Sequence, residues 1–243
     1  MPGPAARRID VAPERLTGWV SSFGARHGGG LSGEAGGDVV TFGAADGAAA
    51  RCEVPFPPLD LPSPAAGAAA LAERLAAHAV AERTVGVLLV RLGGYAAGVF
   101  TGSEPVLATS KVGSRLVHGR SAAGGQSQRR FARRRENQAH QALAAAADTA
   151  AAVFGPFDLD ALVLGGDRRA LAVISKDVRL APYFERAVDN VLTVPDPRLS
   201  VLRAAPRLFR AIRITLTEPD PDRPGTPNRL GTPSRPDSPK GRP

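Results

Sequence analysis

The segment from Ser127 to about Phe154 constrains this chain more than any other, because it reads as one long helix with two unlike sides. Advancing about 100° per residue from Phe131 gathers Ala139, Ala142, Leu143, Ala146, Ala150, Val153 and Phe154 on one broad face. Arg129, Arg130, Arg133, Arg134, Asn137, His140 and Gln141 fall on the other, and Arg135 alone departs from the pattern. Such a helix must lay its apolar stripe on a neighbouring layer. The preceding stretch supplies one. Thr84 to Arg91, Tyr95 to Thr101 and Pro105 to Lys111 read as strands, separated by Gly93-Gly94 and Gly102-Ser103, turns short enough for antiparallel hairpins. Gly155-Pro156 stops the helix, and Leu159 to Leu164 predicts a further strand ending at Gly165-Gly166-Asp167. Strands mixed with covering helices predict an α/β fold built on a mixed sheet.

Around this centre the chain divides into three parts. Residues 1 to 64 read as a small N-terminal α+β unit, with a helix over Pro13 to Phe23 and strands over Val39 to Phe42 and Arg51 to Val54. It closes with a linker holding Pro55, Pro57, Pro58, Pro62 and Pro64. Residues 65 to 216 form the main unit, which adds a helix over Ala65 to Glu82, a strand over Val188 to Val194 and a helix over Arg198 to Leu208. Ala211 to Leu216 alternates like an edge strand, and Arg168 to Ser175 is ambiguous between helix and strand. From Thr217 the Pro, Gly, Ser and Arg-rich tail, residues 217 to 243, lacks the apolar content to offset ordering entropy and is expected to be disordered. Aromatics are only 5% of the chain, so the core must be built from Ala, Val and Leu.

The net charge of +8 is concentrated in one window. Lys111, Arg115, Arg120, Arg129, Arg130, Arg133, Arg134 and Arg135 lie between positions 111 and 135 with no Asp or Glu among them. Taking these eight from the 31 basic residues leaves 23, which the 23 acidic residues balance. A single basic patch points to a polyanion. Cations in the first turns of a helix also oppose its dipole, a cost that an anionic partner would offset. The planar arginine fork suits phosphate oxygens, and with Phe131 assigned to packing the window has no stacking aromatic. The patch should therefore hold nucleic-acid backbone, without DNA sequence specificity.

Other chemistries have little support. The lone Cys52 excludes an internal disulfide framework and a multi-cysteine metal site. His27, His78, His118 and His140 are scattered, and no phosphate-loop pattern occurs. Asp158, Asp160 and Asp167 flank one strand, where they could serve a metal nuclease or simply cap and turn the chain. No cofactor or metal is expected. Arg7-Arg8 is not followed by the apolar run of a signal peptide, and no stretch has the length of a membrane span. A cytoplasmic location without membrane contact is the expectation.

The run Gly124-Gly125-Gln126-Ser127, followed by Arg130-Phe131-Ala132-Arg133 and Arg135, resembles the catalytic-domain signature of the eukaryotic and archaeal class-I release factors. His118-Gly119-Arg120 resembles what precedes that signature, and Leu162-Val163-Leu164-Gly165-Gly166 the strand and glycine turn that follow the long helix. The likeness extends over residues 84 to 205 and is specific in the motif. It departs at Ser121-Ala122-Ala123, which separates Arg120 from the glycines. No region resembles the stop-codon-reading or GTPase-recruiting domains. A free-standing domain of this kind is similar to the Vms-type release-factor-like (VLRF) peptidyl-tRNA hydrolases, in their actinobacterial branch.

The resemblance implies an RNase H-like catalytic domain and hydrolysis of peptidyl-tRNA on stalled or split ribosomes, independent of any codon. Catalysis would rest on Gly124, Gly125 and Gln126. Lys111, Arg115, His118, Arg120, Arg129, Arg130, Arg133 and Arg134 would contact tRNA and large-subunit ribosomal RNA. The residues alone leave a second reading open: a non-catalytic ribosome- or RNA-binding module in which the Gly-Gly-Gln segment is only a hinge.

Overall fold

The computed structural model describes residues 7–60, 67–91, 94–114 and 127–218, the side chains of 127–137 excepted. Of the tail expected to be disordered, residues 217 to 243, Thr217 instead ends a strand, and all beyond Glu218 lie outside this set. Within it the chain builds two sheets, each with its own hydrophobic core.

The first sheet is antiparallel throughout, in the order β1 (Arg7–Val11), β9 (Ile212–Thr217), β4 (Ala49–Glu53), β3 (Val39–Ala44), β2 (Leu31–Ala35). Period-two alternation sends Val40, Phe42, Ala50, Cys52, Ile212, Ile214 and Leu216 inward. That face meets Leu16, Val20 and Phe23 of α1 (Pro13–Arg26) and Leu71, Ala72 and Leu75 of α2 (Gly67–Ala79). Pro13 opens α1, where its missing N–H costs nothing. Burial pushes the Cys52 thiol up to about 12, so it behaves as a small apolar side chain.

The second sheet runs β7 (Val106–Ser114), β6 (Gly94–Thr101), β5 (Val85–Arg91), β8 (Ala161–Gly166). Its hairpins are antiparallel, whereas β5 and β8 are parallel, with β6, β7 and α3 (Ser127–Phe154) between them in the chain. The mixed sheet read from sequence is thus present. β5 is buried from Val85 through Val90 because both faces are covered, which is why it reads as an unbroken apolar run. α3 and α4 (Arg168–Ile174) cover one face, α6 (Leu199–Phe209) the other, and α5 (Ala181–Phe184) packs beside β8. Gly166, at φ +97°, has no room for a side chain: a Cβ there would fall on the Val90 carbonyl.

Several sequence expectations are corrected. Ala211 to Leu216 was expected as an edge strand of the main unit. Its counterpart β9 lies inside the first sheet, between β1 and β4. α2 likewise packs in the first core, so the two cores do not divide at position 64. Val188 to Val194 is not a strand. It touches β8 only through isolated bridges, Ala187 with Leu162 and Leu192 with Gly165, with Asp189-Asn190 between them. The ambiguous stretch after Asp167 is the helix α4. β1 and β2 carry few apolar residues and gave no strand signal. Among the described residues no helix is long and apolar enough to cross a membrane.

Candidate functional site

α3 has 28 residues, about 42 Å of helix at 1.5 Å per residue. β6, which it crosses, has eight, about 27 Å of strand. The packed part of the helix is alanine-rich: Ala142, Ala146, Ala147, Ala150, Val153 and Phe154 are buried, which brings the backbone close to the sheet. His140, Gln141 and Asp148 are exposed on the opposite side. The amphipathic pattern read from sequence therefore holds wherever side chains are described. Arg129, Arg130, Arg133 and Arg134 fall on described helical backbone, their side chains outside the description.

Topology sets the direction of the helix. Its last residues lead into β8, whose Ala161 pairs with Val85 at the start of β5. The opposite sheet end carries Arg91 and Gly94, which pair with each other, Ser114, which pairs with Gly94, and Gly166, which pairs with Val90. The N-terminus of α3, its positive dipole end, is therefore directed toward the sheet end where β7 finishes. The segment from 115 to 126, with Arg115, His118, Arg120, Gly124, Gly125 and Gln126, joins the two and lies outside the described residues.

Lys111 is the expected contact residue whose side chain is described. It is exposed and stands opposite Ala97 on β7, an edge strand. Ala97 belongs to the core beneath α3, and directly paired residues share a face. Lys111 therefore flanks α3. Two residues on, Gly113 stands opposite Tyr95, whose ring lies across it, and a Cβ at Gly113 would overlap the phenol. Sequence reasoning passed over Tyr95. The only signal for it is an aromatic facing a glycine across a hairpin, which needs the register to be seen. Arg91 at the same sheet end donates to the Val194 carbonyl at 2.9 Å and is structural.

The remaining candidates have other partners. Asp158 pairs with Arg186, Asp160 accepts from the Thr84 amide at 2.7 Å, and Asp167 caps α4 by accepting from the Arg169 and Ala170 amides. Among the described residues no group of three His, Cys, Asp or Glu is placed to hold a metal ion. His27 bonds Asp46 at 2.8 Å. The Ala48 amide first, and then His27, hold the Asp46 carboxyl below its ordinary value. His78 bonds the Phe56 carbonyl at 2.9 Å. His27 follows α1 and His78 lies on α2, the two helices of the first core.

Comparison with solved structures finds the crystal structure of an archaeal translation termination factor, aRF1, at 12% identity and a TM-score of 0.36. That match covers 68% of this chain and 47% of the factor, so the chain spans about half its length. A second match, described only as an archaeal protein, has 11% identity and a TM-score of 0.27, covering 84% of this chain and 64% of that one. No curated protein sequence matches. Residues 83–215, more than half of the chain, match the Actinobacteria/chloroflexi VLRF1 release factor family, and the chain belongs to that release-factor-like family of translation proteins.

Proposed function

We propose that this protein hydrolyses the ester between a nascent peptide and its tRNA, on stalled or split ribosomes and without reading a codon. The observation that carries this reading is the family match over residues 83–215, which spans Gly124-Gly125-Gln126 and the helix behind it. The topology supports it: the segment holding these residues bridges an edge strand and the positive end of α3.

The reaction is acyl transfer from the terminal ribose hydroxyl of tRNA to water. The amide side chain of Gln126 has no useful basicity at neutral pH, so its part is to orient the attacking water. Its backbone N–H stabilises negative charge developing on the carbonyl or the leaving ribose oxygen. Gly124 and Gly125 let the backbone approach the ester closely. Arg115, Arg120, Arg129, Arg130, Arg133 and Arg134, with Lys111 and His118, hold the phosphates of tRNA and large-subunit ribosomal RNA.

The test is peptide release from peptidyl-tRNA on isolated large ribosomal subunits, with binding followed in parallel. Wild type is expected to release peptide. Gln126→Ala is expected to bind equally and lose about 100-fold or more in rate, the scale for removing a group that stabilises the transition state. Binding without release by wild type would sink the hydrolase reading and leave an RNA-binding module.

A further inference from the structure

Tyr95 opens β6 at the sheet end where β7 hands over to the segment from 115 to 126. It is half-buried, and its inner side packs with the core beneath α3. The rest of the ring, hydroxyl included, lies over Gly113 of the neighbouring edge strand. Buried tyrosine bodies usually bring their hydroxyl to a partner. This hydroxyl has none among the described residues, and Gly113, having no side chain, leaves room for the ring over the strand. Lys111 is the diagonal neighbour of Tyr95 in the same ladder, on the same face. Such pairs stand about 7–8 Å apart, within joint reach of an aromatic and a long side chain. Lys111 is exposed and has no carboxylate partner among the described residues.

An ammonium with three donors and a phenol hydroxyl able to donate, diagonal neighbours on one face and without partners among the described residues, favour an acceptor beside α3. The matching chemistry is a phosphate: an acceptor with several oxygens and negative charge. We propose that Tyr95 is a further RNA-contacting residue, its hydroxyl donating to a backbone phosphate that Lys111 also engages, at the root of the segment carrying Gln126. The ring needs a glycine at 113 to lie where it does, because any side chain there would displace it. Tyr95 touches no reacting atom in this arrangement. It tightens binding and leaves the chemical step alone. The inference rests on the proposed function only in taking RNA as the partner.

The experiment compares the full chain with Tyr95→Phe, Lys111→Gln and the double variant, using large ribosomal subunits that carry peptidyl-tRNA. Tyr95→Phe keeps the ring over Gly113 and removes only the hydroxyl, so the unfolding midpoint serves as a control and should not move. Binding is expected to weaken about 10- to 100-fold, as for loss of one hydrogen bond to a charged group. KM should rise by the same factor at unchanged kcat. Because both groups engage one phosphate, the double variant should lose less than the product of the single losses. Tyr95→Phe binding as tightly as wild type overturns the inference and leaves Tyr95 a packing residue. If wild type binds but releases nothing, the hydrolase reading fails and the binding comparison still decides this one. Wild type that does not bind overturns both.

Discussion

From Gln138 to Phe154, α3 is anchored by small buried residues, Ala142, Ala146 and Ala150 among them, with Phe154 closing the stripe. From Ser127 to Asn137 the same helix carries five arginines and one large apolar residue, Phe131. The anchored half lies against β6 and shares a core with Ala97 and Val99. The basic half has too narrow an apolar stripe to be held by packing alone. Extending a helix adds one hydrogen bond per residue without a new nucleation cost, and arginine is a good helix former. The anchored half can therefore sustain the basic one. If the proposed function holds, stability and binding are separated along a single element: changes in one half should read out in unfolding, changes in the other in RNA affinity.

The strongest attempt to break that separation replaces Arg129, Arg130, Arg133 and Arg134 together by alanine. Affinity for large-subunit RNA is expected to fall on the order of 1,000-fold, and the logarithmic salt slope to flatten by about 3–4. The unfolding midpoint should stay in place; retained binding or a lowered midpoint would each defeat the comparison. Next comes Ala150→Leu in the anchored half. It overfills a fully buried position and should cost about 1–3 kcal/mol of stability in denaturant melts.

Asp167→Ala removes the cap of α4, which packs on α3, and is expected to cost about 1 kcal/mol without changing RNA affinity. Smallest of all is Asp148→Asn on the exposed side of the anchored half. Its pair with Arg179 is a surface contact, so no measurable loss is expected. Arg179 also holds the Asp177 carboxyl down at about 2, mainly through their side-chain hydrogen bond. A depressed carboxylate contributes its stability above the ordinary value and loses it as pH falls toward 2. Asp148→Asn should leave that acid limb in place. Arg179→Ala should move it up toward 3.8, the ordinary value, as followed by NMR titration of Asp177.

The elements of the second sheet were legible because each carries a strong local signal. β5 is a continuous apolar run and Gly155-Pro156 stops α3, whereas the short α4 stayed ambiguous until its Asp167 cap was seen. The motif running from Gly124 to Arg135 was enough to suggest the family that the match over residues 83–215 then established. Tyr95 was not legible, since its meaning depends on facing Gly113 in the register of β6 and β7. The strand expected at Val188 to Val194 had the right composition. Asp189-Asn190 carries the chain off the ladder between its two bridges, which composition does not report.

By itself the sequence determined the local states: a two-sided helix, three strands before it, and a charge excess confined to positions 111–135. These follow from periodicity and propensity, which act over a few residues. Beyond the two hairpins that the short turns predict, only the tertiary structure decided which strands pair. Ile212, Ile214 and Leu216 alternate equally well for either sheet, and their place between β1 and β4 came from the open ladder edges and apolar face waiting far upstream in the chain. The same holds for Lys111, whose exposure was readable from its charge, while its position beside α3 came from pairing with Ala97. Alternation says that one side of a strand is buried; it does not say against what, because burial is satisfied by any apolar surface within reach.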